Sequence, residues 1–175
     1  YSTEEQSWGV AVASKFLAAA AVVSWAQAGA GAVATQALAK VPFGPDGLKL
    51  MADGLSAEET LARVLSTDPD AEHRQVGMVD ASGSAAAHTG ADCFEYAGHY
   101  VGEGFTCQGN ILAGRVVIDA MANAYMAAEG PFADRLLAAL LAADRAGGDK
   151  RGRQSAGLLV VNSTGDGSDA NSGDG

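Results

Sequence analysis

Positive charge is scarce in this sequence. Eleven Lys and Arg stand against 21 Asp and Glu, a net charge of -10 at pH 7. General nucleic-acid binding draws on Lys and Arg that neutralise phosphates, so this composition argues against a nucleic-acid partner. The one basic cluster, Lys150-Arg151-Gly152-Arg153, is too short to change the balance. Cysteine is also rare: Cys93 and Cys107 can pair only once, sequence does not supply the geometry a disulfide needs, and both are read as free thiols. The longest apolar run, 16–28, falls short of the roughly 20 residues that span a bilayer. It is read as a buried segment, and no membrane partner is expected. No secretory signal opens the chain, which points to a cytoplasmic location. Nor does a methionine: the chain starts at Tyr1, and a further strand is expected ahead of it.

The length of 175 residues suits one domain with a full core, placed here at 1–161 and followed by a polar Gly/Asp/Ser-rich tail at 162–175. The tail's Asp and Gly content is reminiscent of calcium loops, but its order does not match an EF-hand. Within the domain, 8–14, 31–36, 75–80, 84–89 and 155–161 read as short strands apolar on both faces, the pattern of strands covered on two sides. In the first, Trp8, Val10 and Val12 share one face with Ser14, and Gly9, Ala11 and Ala13 share the other with Lys15. The run Asp80-Ala81-Ser82-Gly83 has hairpin-turn residues. Helices are expected at 45–53, 57–65, 116–129 and from Pro131 onward. Ser56 and Glu59 form a capping box for the second, and Gly130-Pro131 separates the last two as helix ends favour. Phe132, Leu136, Leu137, Leu140 and Leu141 make an apolar stripe on the last helix. The order of elements predicts an α+β fold with two sheets between helix layers.

Glycine is abundant, and five of the 23 lie between 98 and 114. That stretch delivers Cys107, Gln108, Gly109 and Asn110 to the approach of the helix at 116. Two amides flanking a glycine there are placed to donate to a substrate amide or carboxylate. The segment from Asp149 through Arg153 to Ser155 has the residues to hold an anionic group, since guanidinium binds carboxylate bidentately; the alternative is a solvated charged turn. His73, His88, His99 and Cys93 match no compact zinc spacing, and no metal or other cofactor is expected. Of the histidines, only His88 is read as a site residue.

The blocks Trp8-Gly-Val-Ala-Val-Ala-Ser-Lys-Phe16, Gly31-Ala-Val-Ala-Thr-Gln36, Glu72-His-Arg-Gln-Val-Gly77, Ala87-His-Thr-Gly90, Cys107-Gln-Gly-Asn-Ile-Leu-Ala-Gly114 and Gly147-Gly-Asp-Lys-Arg-Gly-Arg-Gln-Ser-Ala156 resemble, in that order, the bacterial and archaeal family called domain of unknown function 1028. The resemblance implies membership of the N-terminal nucleophile (Ntn) hydrolase-like superfamily, a four-layer αββα sandwich and no established substrate. Family members usually begin with a further strand of the type Met-Thr-Phe-Ser-Ile, which this sequence does not contain. By position, Ser14 and Lys15 resemble the strand end that faces the nucleophile in Ntn hydrolases. Thr35 and Gln36 resemble the segment whose backbone forms an oxyanion hole there. In such enzymes a terminal amine activates a Thr, Ser or Cys at residue one. Tyr1 cannot act so, and Ser2 or Thr3 would need trimming to be exposed. The resemblance therefore implies an amidohydrolase of a small amide or peptide-like bond, with its nucleophile just upstream of Tyr1. The alternative is a non-catalytic relative that binds a small metabolite or forms an interaction surface, with a homo-dimer as the expected assembly. Lys15, Gln36, Asn110 and Arg153 are expected to converge on one cavity.

Overall fold

The computed structural model describes residues 1–163, so 164–175 of the polar tail, with its calcium-like run, lie outside the described residues. In chain order the elements are β1 (Ser7–Ser14), α1 (Ala19–Val23), β2 (Ser24–Gln27), β3 (Gly31–Ala37), α2 (Phe43–Ala52), α3 (Ala57–Ser66), β4 (Arg74–Asp80), β5 (Ala85–Thr89), β6 (Gly98–Gly102), β7 (Phe105–Gly109), α4 (Arg115–Ala127), α5 (Phe132–Arg145) and β8 (Ser155–Asn162). All the strand pairs are antiparallel. β1 pairs with β8, β2-β3-β4-β5 form one sheet, and β6 pairs with β7. The class is α+β.

Alternation along β3 shows how the layers are fed. Val33 enters one core with Phe43, Leu48, Leu61 and Val64 of α2 and α3. Its neighbours Ala32 and Ala34 turn the other way, into a second core with Trp8 and Val10 of β1. Every residue of β4 is buried, as expected of a strand covered on both faces. A third core gathers Phe105 and Cys107 of β7 with Val117, Ile118 and Tyr125 of α4 and Phe132 of α5. Phe132 is almost fully enclosed, a burial that contributes about 2–3 kcal/mol. α4 and α5 pack on each other, α5 against β1 and β8, α4 against β6 and β7. Among the described residues, no helix is long and apolar enough to cross a membrane.

One expectation is corrected. The apolar run 16–28 is not one buried segment: it divides into a turn, α1 and β2, with Phe16 and Leu17 largely exposed. Alanine is compatible with helix and strand alike, so the run carries no period that marks the division. The glycine-rich stretch from 98 is a hairpin, β6 to β7, turning at Glu103-Gly104. Its second strand delivers Cys107, Gln108 and Gly109 to the approach of α4, where they were expected.

The end of β4 is secured by Asp80. One of its carboxylate oxygens accepts the Ala57 N–H at 2.9 Å, capping α3 beside the Ser56–Glu59 capping box, and the other accepts the N–H groups of Ser82 and Ser84 at 2.9 and 3.0 Å. Burial opposes ionisation of this carboxyl, but the hydrogen bonds from Ser82, Ala57 and Ser84 outweigh it and hold its pKa below the ordinary value. Its stabilisation is thus present above the unfolded-state pKa and is lost as pH falls through the lower folded one. Asp80→Ala is expected to cost about 2 kcal/mol at pH 7, with the difference from wild type narrowing below pH 3.8, the ordinary value. Urea melts at neutral and acid pH measure both; an undiminished difference in acid would refute the assigned ionisation.

Candidate functional site

β1 and β7 face each other without pairing, and the space between them is a slot of about 950 Å³. Its lining includes every residue from 9 to 14 on β1 and from 105 to 112 on and after β7. Successive strand side chains point to opposite faces, so an unbroken run of lining residues means that the strands present their edges. Ala32, Ala34 and Gly77 of the four-stranded sheet lie on one side, with Met121, Leu136 and Leu140 of α4 and α5 on the other. Gly77 is required where it stands, since a Cβ there would run into the Thr106 hydroxyl and the Gln108 amide.

One end of the slot is polar, because β1, β3 and β7 all finish there in polar side chains. Gln75 of β4, fully buried, organises it. Its Oε1 accepts the Gln36 amide at 2.9 Å and the Asn110 amide at 3.2 Å. Its Nε2 donates to Gly109 O at 2.9 Å, Gly98 O at 3.1 Å and Thr89 Oγ1 at 2.9 Å. Gln36 also donates to Gln108 O at 3.4 Å. With these N–H groups engaged, Gln36 and Asn110 have their amide oxygens left as acceptors, and Asn110 keeps one N–H. The Gln108 side chain lies between the layers over Gly77, with its Oε1 buried and unpartnered. Just beyond the strand ends, Ala37 and Ile111 adopt left-handed backbone conformations, φ 64° and 56°. For a β-branched residue this is a strained geometry of the kind that gathers at functional sites.

The turn after α5 reaches the same end through backbone bonds between 111–113 and 148–150. Asp149 accepts the Lys15 N–H at 3.3 Å and two side-chain bonds from Arg151, at 3.0 and 2.6 Å. Burial raises the Asp149 pKa, but Arg151 more than offsets this and the carboxyl is held below its usual range. Arg153 is engaged by Asp144 through both guanidinium arms, at 2.6 and 2.8 Å. Ser155 is a latch: its hydroxyl donates to Phe16 O at 2.7 Å and accepts the Ala19 N–H at 3.0 Å.

Of the residues singled out from sequence, Ser14, Gln36, Gln108, Gly109, Asn110, Asp149, Arg153 and Ser155 line the slot. Lys15, Thr35 and His88 do not. Lys15 is exposed past the end of β1 and the Arg153 guanidinium is largely exposed on Asp144, so of the four residues expected to converge only Gln36 and Asn110 meet, on Gln75. Thr35 is fully buried, with its hydroxyl on Lys40 O at 3.4 Å. His88 sits on β5 with its ring Nε2 donating to Ala71 O at 3.0 Å. Both cysteines are buried and free, and burial pushes the Cys107 thiol up to about 12, far from a nucleophile's range. Among the described residues, no three His, Cys, Asp or Glu gather to hold a metal. Sequence reasoning missed Gln75, and its signal was present: a long polar side chain opening the apolar run Val76-Gly-Met-Val79 of a strand covered on both faces.

A family model described as a family of unknown function, DUF1028, matches residues 1–172. The crystal structure of protein SPO2555 from Silicibacter pomeroyi, a DUF1028 protein, is similar at a TM-score of 0.87 and 32% identity, over 93% of this chain and 70% of that one. No curated protein matches the chain.

Proposed function

Because this chain belongs to the DUF1028 family, whose function is unknown, we propose from its site that it is an amidohydrolase of the N-terminal nucleophile type, acting on a small amide or peptide-like bond. The observation that carries this reading is the pair of amides, Gln36 and Asn110, held by the buried Gln75 at the polar end of the slot. Two amide-oxygen acceptors and one remaining N–H suit a substrate amide, which offers donors and an acceptor in one plane. The packing of helices on both sides of the strands supports a four-layer αββα arrangement. In such an enzyme a hydroxyl or thiol on a strand beside β1 attacks the substrate carbonyl. The terminal amine takes its proton and passes it to the leaving nitrogen, and water then releases the acyl group. The same reading takes 1–161 as one domain, a small molecule as substrate and a homo-dimer as the assembly.

One observation favours a second reading, a non-catalytic binder of a donor-rich metabolite. Arg151 and Arg153 are each neutralised by an aspartate of the chain itself, so neither guanidinium is left to steady a developing oxyanion. Intact mass and N-terminal sequencing of the native protein after exposure to a β-lactone separate the two. A terminal Thr, Ser or Cys carrying one acyl group supports the hydrolase; a terminus without such a residue, or one that stays unmodified, removes it.

Asn110→Ala tests the site under either reading. Replacing it is expected to weaken binding of simple amino-acid amides about ten-fold or more, the loss of one or two hydrogen bonds worth about 1–3 kcal/mol, while the unliganded melting temperature changes little. Melts with and without a panel of such amides measure this. An equal loss in both would make Asn110 a structural residue.

A further inference from the structure

Among the described residues, four charged side chains line the slot, and they cancel in pairs: Arg151 with Asp149 and Arg153 with Asp144. The polar end therefore offers a ligand hydrogen bonds but no net charge. With their N–H groups on Gln75 and the Gln108 carbonyl, Gln36 and Asn110 leave two amide oxygens as acceptors and one N–H as donor. A primary carboxamide returns two N–H donors and one carbonyl acceptor. A carboxylate returns acceptors only, and would set its charge against those two oxygens.

The same end carries exposed rings. Phe16 is 55% and Phe94 68% exposed, and both line the slot. Every other aromatic side chain of the described residues is buried or half-buried. Backbone bonds fix these two beside the amide pair. Phe94 O accepts the Ile111 N–H at 3.0 Å, one residue past Asn110, and Ile111 O accepts the Lys150 N–H at 2.9 Å. The adjoining Asp149 takes the Lys15 N–H at 3.3 Å, one residue before Phe16, and Phe16 O is held by the Ser155 hydroxyl at 2.7 Å. A single exposed apolar side chain needs no explanation. Two rings gathered at the one polar end of an uncharged slot mark a place where apolar surface is covered by a ligand.

We propose that this end of the slot binds an uncharged aromatic carboxamide, its amide group on Gln36 and Asn110 and its ring against Phe16 and Phe94. The amide sets the direction of the ligand, because its donors and its acceptor lie on opposite sides of one carbon. The ring supplies contact that a bare amide lacks: an aromatic face packs on a phenylalanine offset or edge-on, and apolar surface leaves water on both partners. Ring and amide are nearly coplanar in such a molecule, so one stiff ligand meets both sets of groups at little conformational cost. A charged ligand would have to compete with Asp149 for Arg151 or with Asp144 for Arg153. The assignment rests on the reading of Gln36 and Asn110 as an amide-recognising pair and deepens it by naming the ligand class; it holds for a hydrolase and for a binder alike.

Calorimetric titration of this chain with benzamide, cyclohexanecarboxamide and benzoate tests the class. Benzamide is expected to bind with a millimolar or lower Kd, the range open to so small a ligand. It should bind at least about five-fold more tightly than cyclohexanecarboxamide, which is of similar size without a π face, and than benzoate. Phe16→Leu and Phe94→Leu keep an apolar side chain and remove the ring. Each is expected to weaken benzamide about three- to ten-fold, with the melting temperature unchanged because neither ring is buried. Equal affinity for benzamide and cyclohexanecarboxamide, equal affinity for benzamide and benzoate, or no saturable benzamide binding would overturn the proposal. Asn110→Ala separates it from the reading it rests on. If the ring preference fails while this variant still weakens simple amino-acid amides, the aromatic class alone falls; if the variant binds every amide as the unsubstituted chain does, the amide-recognising pair falls with it.

Discussion

Arg74→Ala is expected to destabilise the protein by about 3–5 kcal/mol, the cost of leaving a buried charge without its partner. Asp68 is almost wholly enclosed, its side chain 1% exposed, and Arg74 contacts both of its oxygens, at 2.7 and 3.3 Å. The same guanidinium reaches Asp70 at 3.2 Å and donates to Leu38 O at 2.7 Å, tying the end of β3 to the start of β4. Lys40, 3.2 Å from Asp68, is partly exposed and replaces only part of the charge. Arg74 holds the Asp68 carboxyl far below the usual carboxylate range. The stability that Asp68 contributes is accordingly full at neutral pH and lost only in strong acid. Urea unfolding of the single variants and of Arg74→Ala with Asp68→Ala measures the coupling; a loss under about 1 kcal/mol for Arg74→Ala would show that the pair is solvated.

Gln75→Leu is the second large effect, because it keeps the volume and removes the hub. Gly98 O, Gly109 O and the Thr89 hydroxyl lose a donor, and the Gln36 and Asn110 amides lose their shared acceptor. Leaving several buried groups unsatisfied is expected to cost about 3 kcal/mol or more, and Gln36 and Asn110 should lose their fixed orientation. Thermal melts report the first effect, and the side-chain amide signals of Gln36 and Asn110 in NMR spectra report the second. Unchanged amide signals would mean that these side chains are positioned by their own strands, and Gln75 would lose its organising role.

Much of the fold was legible where local chemistry has one solution. The Ser56–Glu59 capping box starts α3 where expected, and the Asp80–Gly83 turn joins β4 to β5. Strands apolar on both faces were recognised because burial on two sides leaves no polar alternation. The division of 16–28 was not, since an alanine-rich run satisfies either period until neighbours choose. β6 was missed for a related reason: Gly102 and Gly104 serve a close backbone approach and a hairpin turn equally well.

The candidate site divides the same way. The sequence by itself determined that polar side chains close the short strands: Ser14 follows a run of small apolar residues, Gln36 ends Gly31-Ala-Val-Ala-Thr, and Asn110 follows Gln108-Gly109. It also determined the low density of cations and, through the apolar stripe from Phe132 to Leu141, that α5 must cover something apolar. Only the tertiary structure decided which of those endings meet. Gln75 lies 39 positions from Gln36 and 35 from Asn110, and side-chain bonds across such separations depend on strand order, which no local pattern encodes. The pairing of Arg151 with Asp149 and of Arg153 with Asp144 was likewise set by where the turn after α5 comes to rest. What α5 covers is decided at the same level: its stripe faces the slot between β1 and β7, because antiparallel order leaves those two edges opposite each other and unpaired.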